Sequence, residues 1–248
     1  MKDIIVFVGP AGSGKSTLTA CFGSWLTKIM DFPVSYVNLD PGCEYLPYTP
    51  DFDVRELISI NKIMKEEKLG PNGAYLRSMD IMYERREEII RRIEKLESLF
   101  ILIDTPGQME LFVFKDAGPA LLDLLKNIGR VVTVVVFDLT LVKNASGYAI
   151  LNLLGLVVQL RLKTESVFVI NKSDLLSREF AFDIENIEQE LLKEEVGLMA
   201  DLAASCAELV KRLSRASRIV AVSAKEGEGM DQLYDLLHEI WCTCGDLT

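Results

Sequence analysis

Apolar residues follow two rhythms along this chain. Short β-branched runs with few polar interruptions occupy 4–8, 34–39, 99–104, 130–138, 166–171 and 218–222, and longer stretches with apolar residues three and four apart occupy 15–30, 116–127, 142–162, 183–196 and 230–241. The first rhythm predicts strands buried on both faces, the second amphipathic helices. Their alternation predicts βαβ units, hence an α/β fold in three layers with a mainly parallel central sheet. The helix at 15–30 leads directly into the strand at 34–39, so the crossover should be right-handed and the two strands parallel. Residues 41–98 interrupt the alternation. They are rich in charge (Lys65 to Lys68, Glu84 to Glu88) and carry Ile89, Ile93 and Leu96 at helical spacing, which predicts an inserted helical element. The charged side of 84–95 is expected to be a solvated face.

Composition adds bounds. With 248 residues, 49% of them hydrophobic, the chain can bury a sizeable core, and a single domain over 1–248 is expected. Lys and Arg number 27 against 37 Asp and Glu, a net charge of −10, so no global field draws it to nucleic acid or to an anionic membrane. The apolar run at 4–8 is too short for a signal peptide's core, and the stretch at 149–162 is broken by Asn152, Gln159 and Arg161, short of the roughly 20 residues that span a bilayer. A soluble, cytoplasmic protein is the expectation. Five scattered cysteines in such a chain are expected to be reduced, and His238, Cys242 and Cys244 read as a plain helix end, not a metal site.

The chemistry lies at the strand ends. Gly9-Pro-Ala-Gly-Ser-Gly-Lys-Ser follows the first strand and opens the first helix, the context in which a glycine-rich loop wraps phosphates. Backbone N–H groups over Gly12, Ser13, Gly14 and Thr17 would point at the phosphates, Lys15 would reach the β- and γ-phosphates, and Ser16 would ligate Mg²⁺. That motif does not choose a base. Asn171-Lys172-Ser173-Asp174, after the apolar run 167–170, does: Asp174 can accept from guanine N1–H and the exocyclic amine, donors that adenine lacks. Asn171 can donate to N7, the Lys172 stem can lie over the base, and the backbone of Ser223-Ala224-Lys225 can meet O6. Asp104-Thr-Pro-Gly107-Gln108 ends another strand, where a carboxylate can hold the Mg²⁺ water shell and Gly107 N–H can sense the γ-phosphate. Asp40, ending the second strand, should reach the same edge and either orient the attacking water or help hold the metal.

With Gly70-Pro71-Asn72 inside the insertion, these motifs together make the chain resemble the GPN-loop GTPases over essentially its whole length. The resemblance implies a GTP/GDP and Mg²⁺ cycle. It also implies a homodimer formed through the nucleotide face, in which each Gly-Pro-Asn loop brings Asn72 to the partner's site, and a catalytic set of Asp40, Asp104, Gln108 and Glu110. The chain ends soon after its last helix, as in short archaeal members. By relationship the client would be RNA polymerase or its assembly factors, with no direct nucleic-acid or membrane contact. A dimeric scaffold with slow turnover is the competing expectation; Gln108 and Asp40 favour the enzyme.

Overall fold

A computed structural model describes residues 1–141, 145–175 and 219–242. Seven strands are present among them: β1 (Lys2–Val8), β2 (Val34–Asn38), β3 (Phe52–Asp53), β4 (Phe100–Asp104), β5 (Gly129–Asp138), β6 (Glu165–Asn171) and β7 (Ile219–Val222). They form one sheet in the order β3-β2-β4-β1-β5-β6-β7, with every pairing parallel. The expected parallel second strand is therefore found, paired with β4 instead of β1.

Both faces of the sheet are covered, which is why its strands read as unbroken apolar runs. Ile4, Val6 and Val8 of β1 join one core, and Ile5 and Phe7 join the other. Helices α1 (Lys15–Ile29) and α8 (Met230–Trp241) close the second core, where Phe22, Trp25, Phe100, Tyr234 and Trp241 form a chain of ring contacts. The first core lies under α2 (Ile60–Glu66), α3 (Pro71–Glu84), α4 (Arg86–Glu94), α5 (Met109–Phe114), α6 (Ala117–Leu125) and α7 (Ala145–Leu162). The inserted helical element is thus α2 to α4. Ile89, Ile90 and Ile93 of α4 are buried, while Glu87, Arg91, Arg92 and Glu94 stay exposed, the solvated face read from the sequence.

Some elements differ from the reading. The insertion also holds β3, two residues that add an edge to the sheet beside β2. A six-residue helix, α5, follows Gln108 directly, and the helix expected over 116–127 spans Ala117–Leu125. The helix expected at 183–196 lies outside the described residues, as do Arg218, Cys206 and Cys244.

The register positions the site. Phe7 and Asn38 both pair with Asp104, Asp138 pairs with Asn171, and Asn171 pairs with Val222. The carboxyl ends of six strands therefore meet along one edge, where an open α/β sheet binds its ligands.

Candidate active site

The phosphate loop leaves β1 at Gly9 and enters α1 through Gly14, whose φ of 87° is the left-handed conformation that an L side chain resists. A Cβ there would also collide with Asn171 Nδ2. Gly14 offers no side chain to cap α1, and no acidic residue lies in the first turn, so the helix's free N–H groups and positive end are left for an anion. Lys15 folds back onto the loop, donating to Gly9 O at 2.9 Å and Pro10 O at 3.3 Å. Burial lowers its pKa, opposed by Asp104, Asp40 and Glu110. Three acids thus surround one lysine, a field suited to a cation as well as to a phosphate.

Asp104 fits the metal. It is 1% exposed. Burial pushes its carboxyl up to about 6, and Ser16, Lys15 and Tyr48 pull it only partly back. Tyr48 donates to Oδ2 at 3.1 Å, while Oδ1 is buried with no hydrogen-bond partner among the described residues; the Ser16 hydroxyl lies near enough to the carboxyl to lower its pKa as a side-chain donor. An orphaned carboxylate oxygen beside a hydroxyl and a lysine is a cation site in its donor chemistry, and Ser16, Asp104 and the neighbouring Asp40 suit Mg²⁺ with its retained waters.

Asp40 is more connected than a turn-forming Asp before proline would be. Its Oδ1 accepts from Gly42 N–H and from the Tyr75 hydroxyl, both at 2.8 Å, and its Oδ2 accepts from Gly107 N–H at 2.9 Å. The N–H expected to sense a γ-phosphate is thus held here by a carboxylate. Asn38 and Asp53 brace the turn from behind: Asn38 donates to Asp53 and to Asp40 O, and Arg55 grips Asp53 through two nitrogens. Gln108 is exposed at the head of α5, and Glu110 stands in its first turn.

At the other end of the edge, Gly14, Thr17, Asn171, Lys172, Asp174, Leu175, Ala224 and Lys225 line an open pocket. Asp174 is exposed and accepts from Ser223 Oγ at 2.6 Å. Lys172, at φ 68°, is tied to Asp138, which fixes its stem along the pocket. Asn171 does more than the sequence suggested: its Nδ2 donates to Ser13 O at 2.9 Å and its Oδ1 accepts Ala224 N–H at 3.0 Å. It braces the phosphate loop against the Ser223 loop, leaving one amide hydrogen for a ligand.

Gly70-Pro71-Asn72 is not a free turn but the start of α3, with Gly70 at the N-cap and Pro71 in the first helical position that its ring favours. Asn72 is exposed, and its side chain makes no hydrogen bond among the described residues. Tyr48 and Tyr75 were not foreseen. Both phenols are half-buried against carboxylates, and desolvation, with those charges, pushes their pKa values upward.

A parallel sheet carrying a phosphate loop, a buried metal-type carboxylate and a guanine-type pocket on one edge defines a P-loop GTPase. The family model described as "Conserved hypothetical ATP binding protein" matches residues 7–243. A GPN-loop GTPase of Pyrococcus abyssi is 38% identical, covering 99% of this chain and 100% of its own. GPN-loop GTPase 1 of Dictyostelium discoideum is 29% identical over 93% of this chain, which spans 59% of that relative's length. The crystal structure of a GTPase in apo form from Pyrococcus abyssi superposes with a TM-score of 0.85 at 36% identity, covering 97% of this chain and 98% of that one. The chain belongs to the GPN-loop GTPase family.

Proposed function

We propose that this chain is a cytoplasmic, homodimeric GTPase that binds GTP with Mg²⁺, hydrolyses it to GDP and phosphate, and uses the cycle as a switch on a protein client. The observation that carries the reading is Asp104: a buried carboxylate with an orphaned oxygen beside Ser16 and Lys15 serves a metal-bound triphosphate and little else. Mg²⁺ bound there would offset charge on the β- and γ-phosphates. Lys15 exchanges Gly9 O and Pro10 O for phosphate oxygens. Gly107 N–H turns from Asp40 to the γ-phosphate, which frees one Asp40 oxygen to orient water. The water attacks the γ-phosphorus and gives up a proton that passes to solvent, the β–γ bridging bond breaks, and GDP and inorganic phosphate leave. Gln108 and Glu110 flank the path, and Asn72 arrives from the partner. Asp174 takes the two guanine donors, which favours guanine despite the ATP in the matched family's description.

Exposed apolar side chains support the dimer. Leu76 and Tyr83 stand four and eleven positions after Asn72, on the same side of α3, and Phe114 is exposed at the end of α5. A partner would cover them. The client proposed from family membership is RNA polymerase or its assembly factors. Steady-state hydrolysis tests the core of the reading. GTP turnover should require Mg²⁺ and fall at least about 100-fold in Lys15→Ala with the circular dichroism spectrum unchanged. Equal turnover of ATP and GTP, or a fully active Lys15→Ala, would refute it.

A further inference from the structure

Tyr75 belongs to none of the sequence motifs, yet it connects them. It lies about one turn after Asn72 on α3, and its ring packs so closely on Gly42 that a Cβ there would collide with it. Its hydroxyl donates to Asp40 Oδ1 at 2.8 Å. The N–H groups of Gly107 and Gln108 also act on its oxygen, so the phenol touches the field of the second switch as well.

The Asp40 carboxylate therefore takes donors from three segments: Gly42 of its own turn, Tyr75 of α3, and Gly107 after β4. These donors divide by oxygen. Among the described residues Gly107 alone holds Oδ2, and it is the donor that a γ-phosphate would draw away. Once it leaves, the anchor remaining among the described residues is Oδ1, and a single N–H from Gly42 would leave the carboxylate plane free to turn about that bond. A second donor on the same oxygen, from a different direction, fixes the plane. A general base or water-orienting carboxylate works only when so fixed.

We infer that Tyr75 is a positioning residue for GTP hydrolysis, its phenol holding Asp40 so that the second carboxylate oxygen faces the γ-phosphate. This rests on the reading of Asp40 as the group that orients water. The placement makes α3 serve two sites in the proposed dimer. Its first turn presents Asn72 to the partner, and its next turn sets Asp40 of its own chain.

Tyr75→Phe is the test, since it keeps the ring against Gly42 and deletes only the O–H. In steady-state assays kcat should fall roughly 10- to 100-fold, as for loss of a charge-assisted hydrogen bond, with the single-turnover rate falling in step, while KM for GTP and the affinity for GDP stay within about twofold. In an Asp40→Asn background the same substitution should change the residual rate by less than about twofold, because the group being positioned is gone. A wild-type kcat in Tyr75→Phe, an equal loss in both backgrounds, or GDP affinity falling in step with kcat would each overturn the inference. Asp40→Asn retaining wild-type turnover would overturn the reading of Asp40 as well. An inactive Asp40→Asn beside a fully active Tyr75→Phe would overturn this inference alone.

Discussion

Asp104 is buried, and burial raises its pKa, so its ionised form carries a cost in the empty protein that a bound cation would offset. Its folded pKa of about 6 lies above the ordinary carboxylate value. Below about pH 4 the group is protonated whether the chain is folded or not, and its burial carries no charge penalty. Between there and pH 6 the unfolded chain ionises first, and above 6 the folded state bears the full cost of a buried charge, on the order of 2 to 3 kcal/mol. Asp104→Asn should therefore raise the melting temperature of the nucleotide-free protein at pH 7.5, with the gain shrinking toward pH 5, while abolishing the stabilisation that Mg²⁺ adds in the presence of GDP. Differential scanning calorimetry at the two pH values checks both; a variant less stable than wild type at pH 7.5 refutes the assignment. Asp104, Lys15 and Asp174 were legible in the sequence because each sits at a fixed spacing from a strand end, where backbone geometry dictates its reach. Tyr48 and Tyr75 were not. They come to Asp104 and Asp40 from loop and helix positions 56 and 35 residues away in sequence, contacts that tertiary packing sets and no local pattern records.

Among the elements, the loops at the sheet's edge depend on one another more than the strands beneath them do. Asn171, at the end of β6, joins Ser13 of the loop before α1 to Ala224 of the loop after β7. It is 2% exposed, so its removal leaves a buried carbonyl and a buried N–H without partners. Asn171→Ala should cost about 2 to 5 kcal/mol in stability and weaken GDP binding, because both the phosphate loop and the base loop lose their brace. Asn171→Asp should not rescue it, since an oxygen then faces Ser13 O. Thermal unfolding with and without GDP decides, and an Asp variant as stable as wild type would show that the amide does not hold the loop. The sheet itself was readable because strands buried on both faces print continuous apolar runs, and the starts of α1 and α8 because Gly14 and Gly229 cap them. The two residues of β3 print no periodicity, and the break at Arg85 between α3 and α4 has no glycine or proline to announce it. The helix α5 is too short to show a pattern and was hidden between the Gly107 turn and α6.

At the scale of the whole molecule, the sequence pattern made the α/β architecture legible but could not by itself place Asn72 relative to a site, because its expected target belongs to a second copy. The structure sets Asn72 exposed at the start of α3, its side chain without a hydrogen bond among the described residues, beside the exposed apolar Leu76 and Tyr83. A donor held on a stiff Pro71 turn at the protein surface is well placed to act on another chain. If it supplies a preorganised hydrogen bond to the partner's γ-phosphate or attacking water, Asn72→Ala should lower kcat on the order of 100-fold and leave GDP affinity nearly unchanged. Mixing distinguishes action across the interface from action within the chain. With Asn72→Ala in one protomer and Lys15→Ala in the other, a heterodimer has one composite site that keeps both groups and one that has neither. Random pairing at equal amounts makes half the dimers mixed, so about one quarter of all sites should be intact and about one quarter of wild-type turnover should return. Within-chain action predicts no return at all, because every pocket then lacks one group. Two nearly inactive variants that stay inactive together, with heterodimers shown by native mass spectrometry, would remove Asn72 from the partner's site.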